Sequence, residues 1–421
     1  MSRERTTGAR RLTTAVIGLA AALGALLPAT AQAAPAHGTR ARTTVDVCGA
    51  AAPGFARCLA QVRTDVHGGT GPRGRAARNA ADAELPEGLS PADLRSAYQL
   101  PATGGGDQTV AIVDAGSYAS AEADLAVYRA TFGLPACTTA NGCLRQVNQQ
   151  GRTAPQPEDQ GWGIEIALDL DMVSAACPSC HILLVGADSA SDADLAASVD
   201  TAVALGADEV SNSYGTTEYN GIAAYAADYS HPGVAILASS GDSGYTIPSA
   251  PAVYPSVIAV GGTSLTPAAG ARGWNETAWS RAGSGCSAWV DKPAWQTDEN
   301  CPGRMTADVS AVADPLTGPA VYFTNPNGGG GGHVDPADVD PGWTVVGGTS
   351  AASPLLAGVI GLAGTPDRYP DASYFYSHAA DLNDVVGGAN GPDCGGDYQC
   401  NAVPGYDGPT GNGTPKGIAA F

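Results

Sequence analysis

The chain has 421 residues, a formal net charge of -20 and 44% hydrophobic residues. A chain of this length and composition can bury a sizeable core in one large domain or two ordinary ones, which indicates a globular protein. The excess of acidic residues argues against nucleic-acid binding and suits solubility at low pH.

The first residues carry the features of a secretory signal. Four arginines precede a run from Thr13 to Ala29 that is almost wholly apolar or small. We predict a signal peptide over residues 1–34, cut after Ala33 or Ala34. No later stretch is apolar over the length of a membrane span, so we expect a secreted, extracellular protein that does not associate with membranes. We also expect a monomer.

Residues 35–88 are rich in Ala, Gly and Arg. This composition predicts a leader or short pro-segment that is weakly structured and open to cleavage. The signals of a packed domain begin at Leu89, where Ser90 and Pro91 are typical of the start of a capped helix. We therefore predict a single domain over residues 89–421.

The rest of the chain alternates between apolar runs and helical patterns. Buried strands are predicted at 108–113, 181–185, 209–213, 234–238, 257–260 and 320–323. Helices are predicted at 119–132, 192–205 and 220–229. This alternation predicts an α/β fold with a mainly parallel sheet that helices cover on both faces.

Ten cysteines in an exported chain suggest disulfides, and they occur as close neighbours. We predict five local bridges: Cys48 with Cys58, Cys137 with Cys143, Cys177 with Cys180, Cys286 with Cys301, and Cys394 with Cys400. A redox or zinc role for Cys177-Pro-Ser-Cys180 is the competing interpretation, but no second metal-type pair lies nearby in the sequence.

The stretch from Val345 to Leu362 contains the candidate nucleophile. Its glycines permit a tight turn, and the apolar run after Pro354 predicts a buried helix, with Ser350 at the junction. Free N–H groups at the start of a helix can stabilise an oxygen that gains negative charge in acyl transfer. The alternative is that Ser350 only caps the helix.

A serine nucleophile needs a base, and the usual one is histidine. None of the six histidines lies in a recognisable catalytic motif, so a histidine base stays open. Glu165 and Asp169 are four residues apart on a predicted helix and project from one face. Two carboxyls this close can share one proton and act as a base with its support. The alternative is a solvated acidic helix face.

Asp242 lies in a glycine-flanked turn at the end of a predicted buried strand. Ligands of open parallel sheets bind at the carboxyl ends of the strands, so this carboxyl could face the same crevice as Ser350. A protonated carboxyl could donate a hydrogen bond to an oxyanion. The alternative is an aspartate that only stabilises its own turn.

Several of these motifs together resemble those of the sedolisins, the serine-carboxyl peptidases with a subtilisin-like fold. The resemblance extends from about Leu89 to the C-terminus. Its motifs occur in the family's order: Glu165-Ile-Ala-Leu-Asp169, Val210-Ser-Asn-Ser-Tyr-Gly215, Ser239-Ser-Gly-Asp-Ser-Gly244, Tyr254-Pro-Ser-Val-Ile-Ala-Val-Gly-Gly-Thr263, Asp308-Val-Ser-Ala-Val-Ala-Asp-Pro315 and Gly347-Gly-Thr-Ser-Ala-Ala-Ser-Pro354.

The resemblance implies a secreted endopeptidase that cleaves polypeptides at acidic pH through an acyl-enzyme. The residues that it implies as catalytic are Ser350 as nucleophile, Glu165 as general base and acid, Asp169 orienting Glu165, and Asp242 in the oxyanion hole. It also suggests that Asp114 supports the carboxyl pair and that Tyr214 is an aromatic neighbour of the site.

The resemblance further implies one structural Ca²⁺ in C-terminal loops. Its ligands would be Asp384, Val385 O, Val403 O, Gly405 O and Asp407, completed by water. Hard cations take carboxylate and carbonyl oxygens from irregular loops of this kind. The residues alone would suggest an acidic loop without a metal.

Three alternatives stay open. A tripeptidyl-peptidase of the same family would remove tripeptides from N-termini. A subtilisin-type peptidase would use Asp114 with a histidine. A non-catalytic exported binding protein could have kept the fold without the reaction. The family usually carries a large folded pro-domain, whereas about fifty residues separate the predicted signal from the predicted domain here, too few to bury a core of their own.

Overall fold

The computed structural model describes residues 43–66, 85–324, 340–391, 394 and 397–421. The predicted signal peptide and the glycine-rich stretch 327–333 lie outside the described residues. Within the described part, the α-helices are α1 (Pro91–Tyr98), α2 (Ala121–Thr131), α3 (Gly163–Ala176), α4 (Asp192–Ala204), α5 (Thr349–Ala363) and α6 (Ser373–Ser377). Short 3₁₀ helices cover Ile222–Tyr229, Pro315–Thr317, Pro366–Arg368 and Ala379–Asp381.

The strands of the described part follow in chain order. They are β1 (Thr44–Asp46), β2 (Arg57–Cys58), β3 (Gln61–Arg63), β4 (Thr109–Ala115), β5 (Leu144–Asn148), β6 (His181–Ala187), β7 (Glu209–Asn212), β8 (Tyr214–Thr217), β9 (Ala235–Ser239), β10 (Ser249–Ala250), β11 (Ile258–Pro267), β12 (Trp274–Ala278), β13 (Gly285–Asp291), β14 (Gly303–Thr306), β15 (Val309–Val312), β16 (Ala320–Phe323), β17 (Gly342–Gly347), β18 (Leu382–Asn383) and β19 (Thr414–Pro415).

The central sheet has the strand order β12-β11-β9-β7-β4-β6-β5, and β15 also pairs with β11. All of its pairings are parallel except that of β12 with β11. Its apolar runs are buried because helices cover both faces, with α3 and α5 packed together on one side and α4 on the other. The predicted α/β fold with a mainly parallel sheet is confirmed.

The predicted elements lie close to the observed ones, with one change of helix type. Residues predicted as a helix over 220–229 form the 3₁₀ helix Ile222–Tyr229, which follows Gly221 at φ 105°. All five predicted disulfides are present: Cys48–Cys58, Cys137–Cys143, Cys177–Cys180, Cys286–Cys301 and Cys394–Cys400. Cys177 and Cys180 are therefore bonded to each other, and neither is a free thiol.

Residues 43–66 do not have the weak structure predicted for the segment 35–88. They contribute β1 and β3 to an antiparallel sheet in the order β1-β3-β17-β16, and β2 to a small sheet in the order β10-β8-β2. The disulfide Cys48–Cys58 closes the loop between β1 and β2. These short strands are stable because they pair with the larger domain, which residue composition does not reveal.

In the described part of the chain, no helix is long and apolar enough to cross a membrane.

Candidate active site

Ser350 lies in the first turn of α5, directly after β17. The turn between them requires Gly348, whose φ is 94° and where an added Cβ would lie 1.8 Å from the carbonyl oxygen of Leu59. The Ser350 hydroxyl donates a hydrogen bond of 3.1 Å to the Ser213 carbonyl. Because Ser350 lies in the first turn, its backbone N–H has no hydrogen-bond acceptor inside the helix.

Pro354 lies inside α5 and has no N–H to donate to the Ser350 carbonyl one turn earlier. The Ser213 hydroxyl lies 3.4 Å from that carbonyl and 2.9 Å from Asp169 Oδ1. Ser213 therefore connects the start of α5 to α3 through side-chain and backbone contacts.

Helix α3 presents Glu165 and Asp169 one turn apart. Every residue of α3 is buried, and both carboxyls are 0% exposed. The alternative of a solvated acidic helix face is therefore wrong, since this helix packs against α5 and the sheet. A helix that is buried all round lies at the centre of a large core.

Asp114 is the second-to-last residue of β4 and is also 0% exposed. Four oxygens of the three carboxyls have no hydrogen-bond donor among the described residues: Glu165 Oε1, Asp169 Oδ2, and both oxygens of Asp114. A buried carboxyl without a donor is stable when it is protonated, or when it shares a proton with a neighbouring carboxyl. The three side chains therefore form a cluster that holds protons.

Burial raises the pKa of all three carboxyls. Asp114 has a pKa of about 8 because it is desolvated. Burial, and then the charge of Asp114, raises the pKa of Glu165 well above its usual value, while the nearby Ser350 hydroxyl and the hydrogen bond from the Ala60 N–H lower it. Burial, then Asp114 and Glu165, raises the pKa of Asp169 in the same way. The cluster is thus poised to hold protons in mildly acid solution.

Asp242 follows β9 and lies at the start of α5. Its Oδ1 accepts hydrogen bonds of 2.8 Å from both the N–H and the hydroxyl of Thr349, and its Oδ2 accepts one of 3.3 Å from Gln61 Nε2. Burial raises its pKa to about 7, although the Thr349 hydrogen bonds and the charges of Arg57 and Arg281 lower it. A side chain with this pKa is protonated in mild acid and can then donate a hydrogen bond.

Tyr214 contributes to the wall behind the site. Its hydroxyl donates a 2.8 Å hydrogen bond to Asn212 Oδ1 and lies 3.0 Å from the Tyr229 hydroxyl. Its ring lies 6.1 Å from that of Trp162, which precedes α3. Tyr214 is thus next to the carboxyl helix, as the sequence suggested.

The three histidines among the described residues have partners away from Ser350. His181 contacts the Gly142 carbonyl at 3.0 Å, His231 lies 3.1 Å from Asp200 Oδ1, and His378 contacts the Tyr374 carbonyl at 2.9 Å. The remaining histidines lie outside the described residues. No described histidine therefore supports the histidine-based alternative.

The C-terminal loops bring together part of the predicted calcium set. Gly405 N–H donates to Asp384 at 3.1 Å, and Val403 N–H donates to Asp407 Oδ2 at 3.2 Å. Val385, which follows Asp384 in the sequence, is buried. Within the described residues, no three His, Cys, Asp or Glu side chains converge on a metal position. The predicted set depends instead on two carboxylates and three backbone carbonyls.

Sequence reasoning missed four residues that contact the site. Ser213 bonds Asp169, while Leu59, Ala60 and Gln61 of the 43–66 segment contact Gly348, Glu165 and Asp242. The only sequence signal for Leu59, Ala60 and Gln61 was the Cys48–Cys58 pair, which marks an ordered loop just ahead of Leu59.

The buried carboxyls should make stability depend on pH. Unfolded aspartates and glutamates titrate near pH 4, whereas Asp114 and Asp242 in the fold have pKa values of about 8 and about 7. The folded protein therefore binds more protons than the unfolded chain between about pH 4 and about pH 8, and stability falls as pH rises through this window. We expect a Tm higher by about 5 °C or more at about pH 5 than at about pH 7.5 in scanning calorimetry.

The matched control for this experiment is Asp114→Asn, which stays neutral at every pH. This variant should lose part of the pH dependence, because one proton-binding difference between the folded and unfolded chains is removed. A Tm that instead rises toward neutral pH in the unmodified chain would contradict the predicted sign.

The chain is similar to known peptidases in sequence and in fold. The sequence profile of the Subtilase family, peptidase S8, matches residues 153–378. Kumamolisin from Bacillus sp. (strain MN-32) is 31% identical over 372 residues, which cover 79% of this chain and 63% of kumamolisin. Sedolisin from Pseudomonas sp. (strain 101) is 34% identical over 184 residues, which cover 39% of this chain and 28% of that protein. The chain thus spans less than two thirds of either relative.

Among solved structures, the chain is similar to Pseudomonas sedolisin, a serine-carboxyl proteinase, complexed with two molecules of pseudo-iodotyrostatin. The TM-score is 0.64 at 26% sequence identity, and the match covers 78% of this chain and 95% of the other. The residues matched by the family profile include Glu165, Asp169, Asp242 and Ser350 and do not include the 43–66 segment.

Proposed function

The chain belongs to the sedolisin family of the subtilases, and on this premise we propose that it is a serine-carboxyl endopeptidase. The observation that carries the proposal is the meeting of Ser350, at the start of α5, with the fully buried carboxyls Glu165 and Asp169 of α3. No imidazole is needed, because a carboxylate released from water by burial is a stronger base than one in solution.

In the proposed reaction Glu165 accepts the proton of the Ser350 hydroxyl while Ser350 Oγ attacks the peptide carbonyl. Glu165 Oε1 has no donor among the described residues, so it is available when the hydroxyl turns from the Ser213 carbonyl. Asp169 holds Glu165 by sharing a proton with it, and Ser213 fixes Asp169. Glu165 then protonates the leaving amine, and water hydrolyses the acyl-enzyme.

The tetrahedral oxyanion would be stabilised by protonated Asp242 and the Ser350 N–H. Thr349 fixes Asp242 through Oδ1, and Oδ2, which accepts from Gln61 Nε2, lies 2.7 Å from the position of a Cβ on Gly348. An ionised Asp242 would repel the oxyanion, so its pKa of about 7 sets an upper pH limit. Activity should therefore be greatest in acid and decline toward neutral pH.

A peptide-library digest, carried out from about pH 3 to about pH 8 and analysed by mass spectrometry, tests this proposal. Internal cleavage that is strongest in acid and absent in Ser350→Ala supports an acid endopeptidase. Removal of tripeptides from free N-termini only would favour the tripeptidyl alternative. An alkaline optimum would reject the mechanism, and peptides that bind without being cleaved would indicate the non-catalytic alternative.

We propose that the protein is secreted and acts on polypeptides outside the cell. The arginine-led apolar sequence before Ala33 supports this, as do five disulfides, which persist mainly in oxidising compartments. Recovery of the protein in culture medium with its disulfides intact tests the proposal.

We also propose that the C-terminal loops bind one structural Ca²⁺. Asp407 is fully buried, and burial raises its pKa to about 8. Its hydrogen bonds lower the pKa, and the nearby charge of Asp384 raises it. Two neighbouring carboxyls and the carbonyls of Val385, Val403 and Gly405 are hard oxygen ligands of the kind that Ca²⁺ prefers. A bound cation would compensate for the buried charge and hold the two loops together.

Chelation should then destabilise the protein. We expect EDTA to lower the Tm by about 5 °C or more at neutral pH and added Ca²⁺ to restore it, since a ligand that binds only the folded state stabilises it. Asp384→Asn should have a low Tm that EDTA does not lower further, whereas Asp367→Asn, on a separate 3₁₀ helix, should respond like the unmodified chain. A Tm indifferent to both EDTA and Ca²⁺ would contradict the calcium proposal.

A further inference from the structure

The loop that carries Asp242 has no helix or strand of its own. It follows β9, and we call residues 240–245 the oxyanion loop. A group that acts in catalysis has to be held within about 0.5 Å of its productive position. The partners of this loop therefore decide how well Asp242 can donate to an oxyanion.

A second loop, residues 281–284, bonds to the oxyanion loop, and we call it the bracing loop. Arg281 Nε donates to the Asp242 carbonyl at 3.0 Å, and the Arg281 carbonyl accepts from the Gly244 N–H at 2.9 Å. The backbone on both sides of Ser243 is thus fixed by one residue of the bracing loop.

Asn390 connects the two loops. Its Nδ2 donates to the Ala282 carbonyl at 2.6 Å and to Ser284 Oγ at 2.8 Å, both in the bracing loop. Its backbone carbonyl accepts from the Tyr245 N–H of the oxyanion loop at 2.9 Å. Asn390 is 3% exposed, so these bonds are shielded from solvent.

The contact between Asn390 and the oxyanion loop is close. A Cβ on Gly244 would lie 2.2 Å from the Asn390 carbonyl oxygen, so only glycine fits there. The orientation of the Asn390 amide is also fixed, because the Ala282 carbonyl can only accept and must face Nδ2. Asn390 Oδ1 has no donor among the described residues, so the side chain forms its hydrogen bonds through Nδ2 alone.

Asn390 is supported in turn by the loop that the Cys394–Cys400 disulfide closes. The Asn390 N–H donates to the Cys400 carbonyl at 3.0 Å. The Tyr245 hydroxyl donates to Gln399 Oε1 at 2.7 Å. The disulfide loop therefore contacts both Asn390 and the end of the oxyanion loop.

We propose that Asn390 is a positioning residue for Asp242, which holds the oxyanion loop against the bracing loop so that the Asp242 carboxyl stays in place as a donor. This rests on the proposed peptidase function. None of the bonds of Asn390 described above involves Ser350 or Glu165, so its effect on the reaction passes through Asp242.

Asn390→Ala should lower kcat by about tenfold and leave KM nearly unchanged, because an oxyanion donor acts in the transition state and not in the bound substrate. In the double variant with Asp242→Ala, kcat should equal that of Asp242→Ala alone, since no carboxyl is left to position. A residue that only stabilises the fold would instead give losses that multiply.

The test is steady-state kinetics of the full chain at its acid optimum, for the four proteins of this double-mutant cycle. The matched control is Asn148→Ala, because Asn148 is 2% exposed and its Nδ2 also donates to a backbone carbonyl, that of Pro155 at 2.8 Å. Asn148 lies on β5, at the edge of the central sheet. We expect both single asparagine variants to have a lower Tm and only Asn390→Ala to lose kcat.

Hydrogen exchange measured by mass spectrometry tests the brace without relying on activity. With Ser350→Ala as background, Asn390→Ala should speed exchange of the N–H groups of Gly244 and Tyr245 and leave that of α5 unchanged. Ser284→Ala removes only one acceptor of Asn390 and is the milder variant, so it should lose less kcat in the same direction.

The outcomes separate this proposal from the peptidase function. Losses that multiply in the cycle, or unchanged exchange in the oxyanion loop, overturn the positioning role and leave the peptidase function standing. If the unmodified chain cleaves no peptide, the proposed function is contradicted, and the role of Asn390 in catalysis is contradicted with it.

Discussion

Glu165→Gln is expected to lower kcat for peptide hydrolysis by about ten-thousand-fold or more, close to the effect of Ser350→Ala. Glutamine has nearly the same shape but cannot accept the serine proton or return it to the leaving amine, and members of a catalytic unit fail together when one is removed. The measurement is steady-state kinetics on a peptide identified in the library digest, at the acid optimum.

One feature of the design makes this result specific. The matched control is Glu209→Gln, because Glu209 is also 0% exposed, has no donor among the described residues and has a pKa raised by burial, yet lies at the opposite end of the sheet. Full activity in Glu165→Gln would reject the carboxyl mechanism, and an equal loss in Glu209→Gln would indicate a general effect of removing a buried acid.

Asp242→Ala is expected to lower kcat by about a hundredfold to a thousandfold, the usual cost of losing one oxyanion donor. Asp242→Asn should be much less impaired, because its oxygen can accept from Thr349 as Oδ1 does and its amide can donate in place of protonated Oδ2. The amide does not titrate, so the decline in activity toward neutral pH should move upward in Asp242→Asn. Profiles of kcat against pH for the three proteins measure both effects.

The asparagine variant shows whether Asp242 acts as a hydrogen-bond donor. If it lost as much activity as the alanine variant over the whole pH range, Asp242 would have to act as an ion or as a fold-stabilising group, not as a hydrogen-bond donor. Melting temperatures of both variants distinguish these outcomes. Loss of the Thr349 hydrogen bonds would destabilise Asp242→Ala, while Asp242→Asn should melt near the unmodified chain.

The central sheet was predictable because its strands are buried on both faces, so β4 and β6 appear as uninterrupted apolar runs. The disulfides were predictable from close spacing in an exported chain. The positions of Glu165 and Asp169 on a helix followed from their spacing, but their burial did not, because charged residues four apart are more often on the surface.

The structure of the 43–66 segment could not be predicted from local sequence patterns. Strands of two or three residues, such as β2 and β3, depend for their stability on β8 and β17, which lie far along the chain. Sequence alone could not show that Ala60 contacts Glu165, 105 residues later. The signal peptide and the calcium site stay predictions.

The position of one disulfide has a consequence for how the 43–66 segment is attached. Cys48 and Cys58 both lie inside this segment, so their bridge does not join it covalently to the rest of the domain. The pairing of β2 with β8, the pairing of β3 with β17 and the ion pair of Asp46 with Arg281 are noncovalent contacts that hold the segment in place. Displacement of the segment would therefore require no disulfide to be reduced.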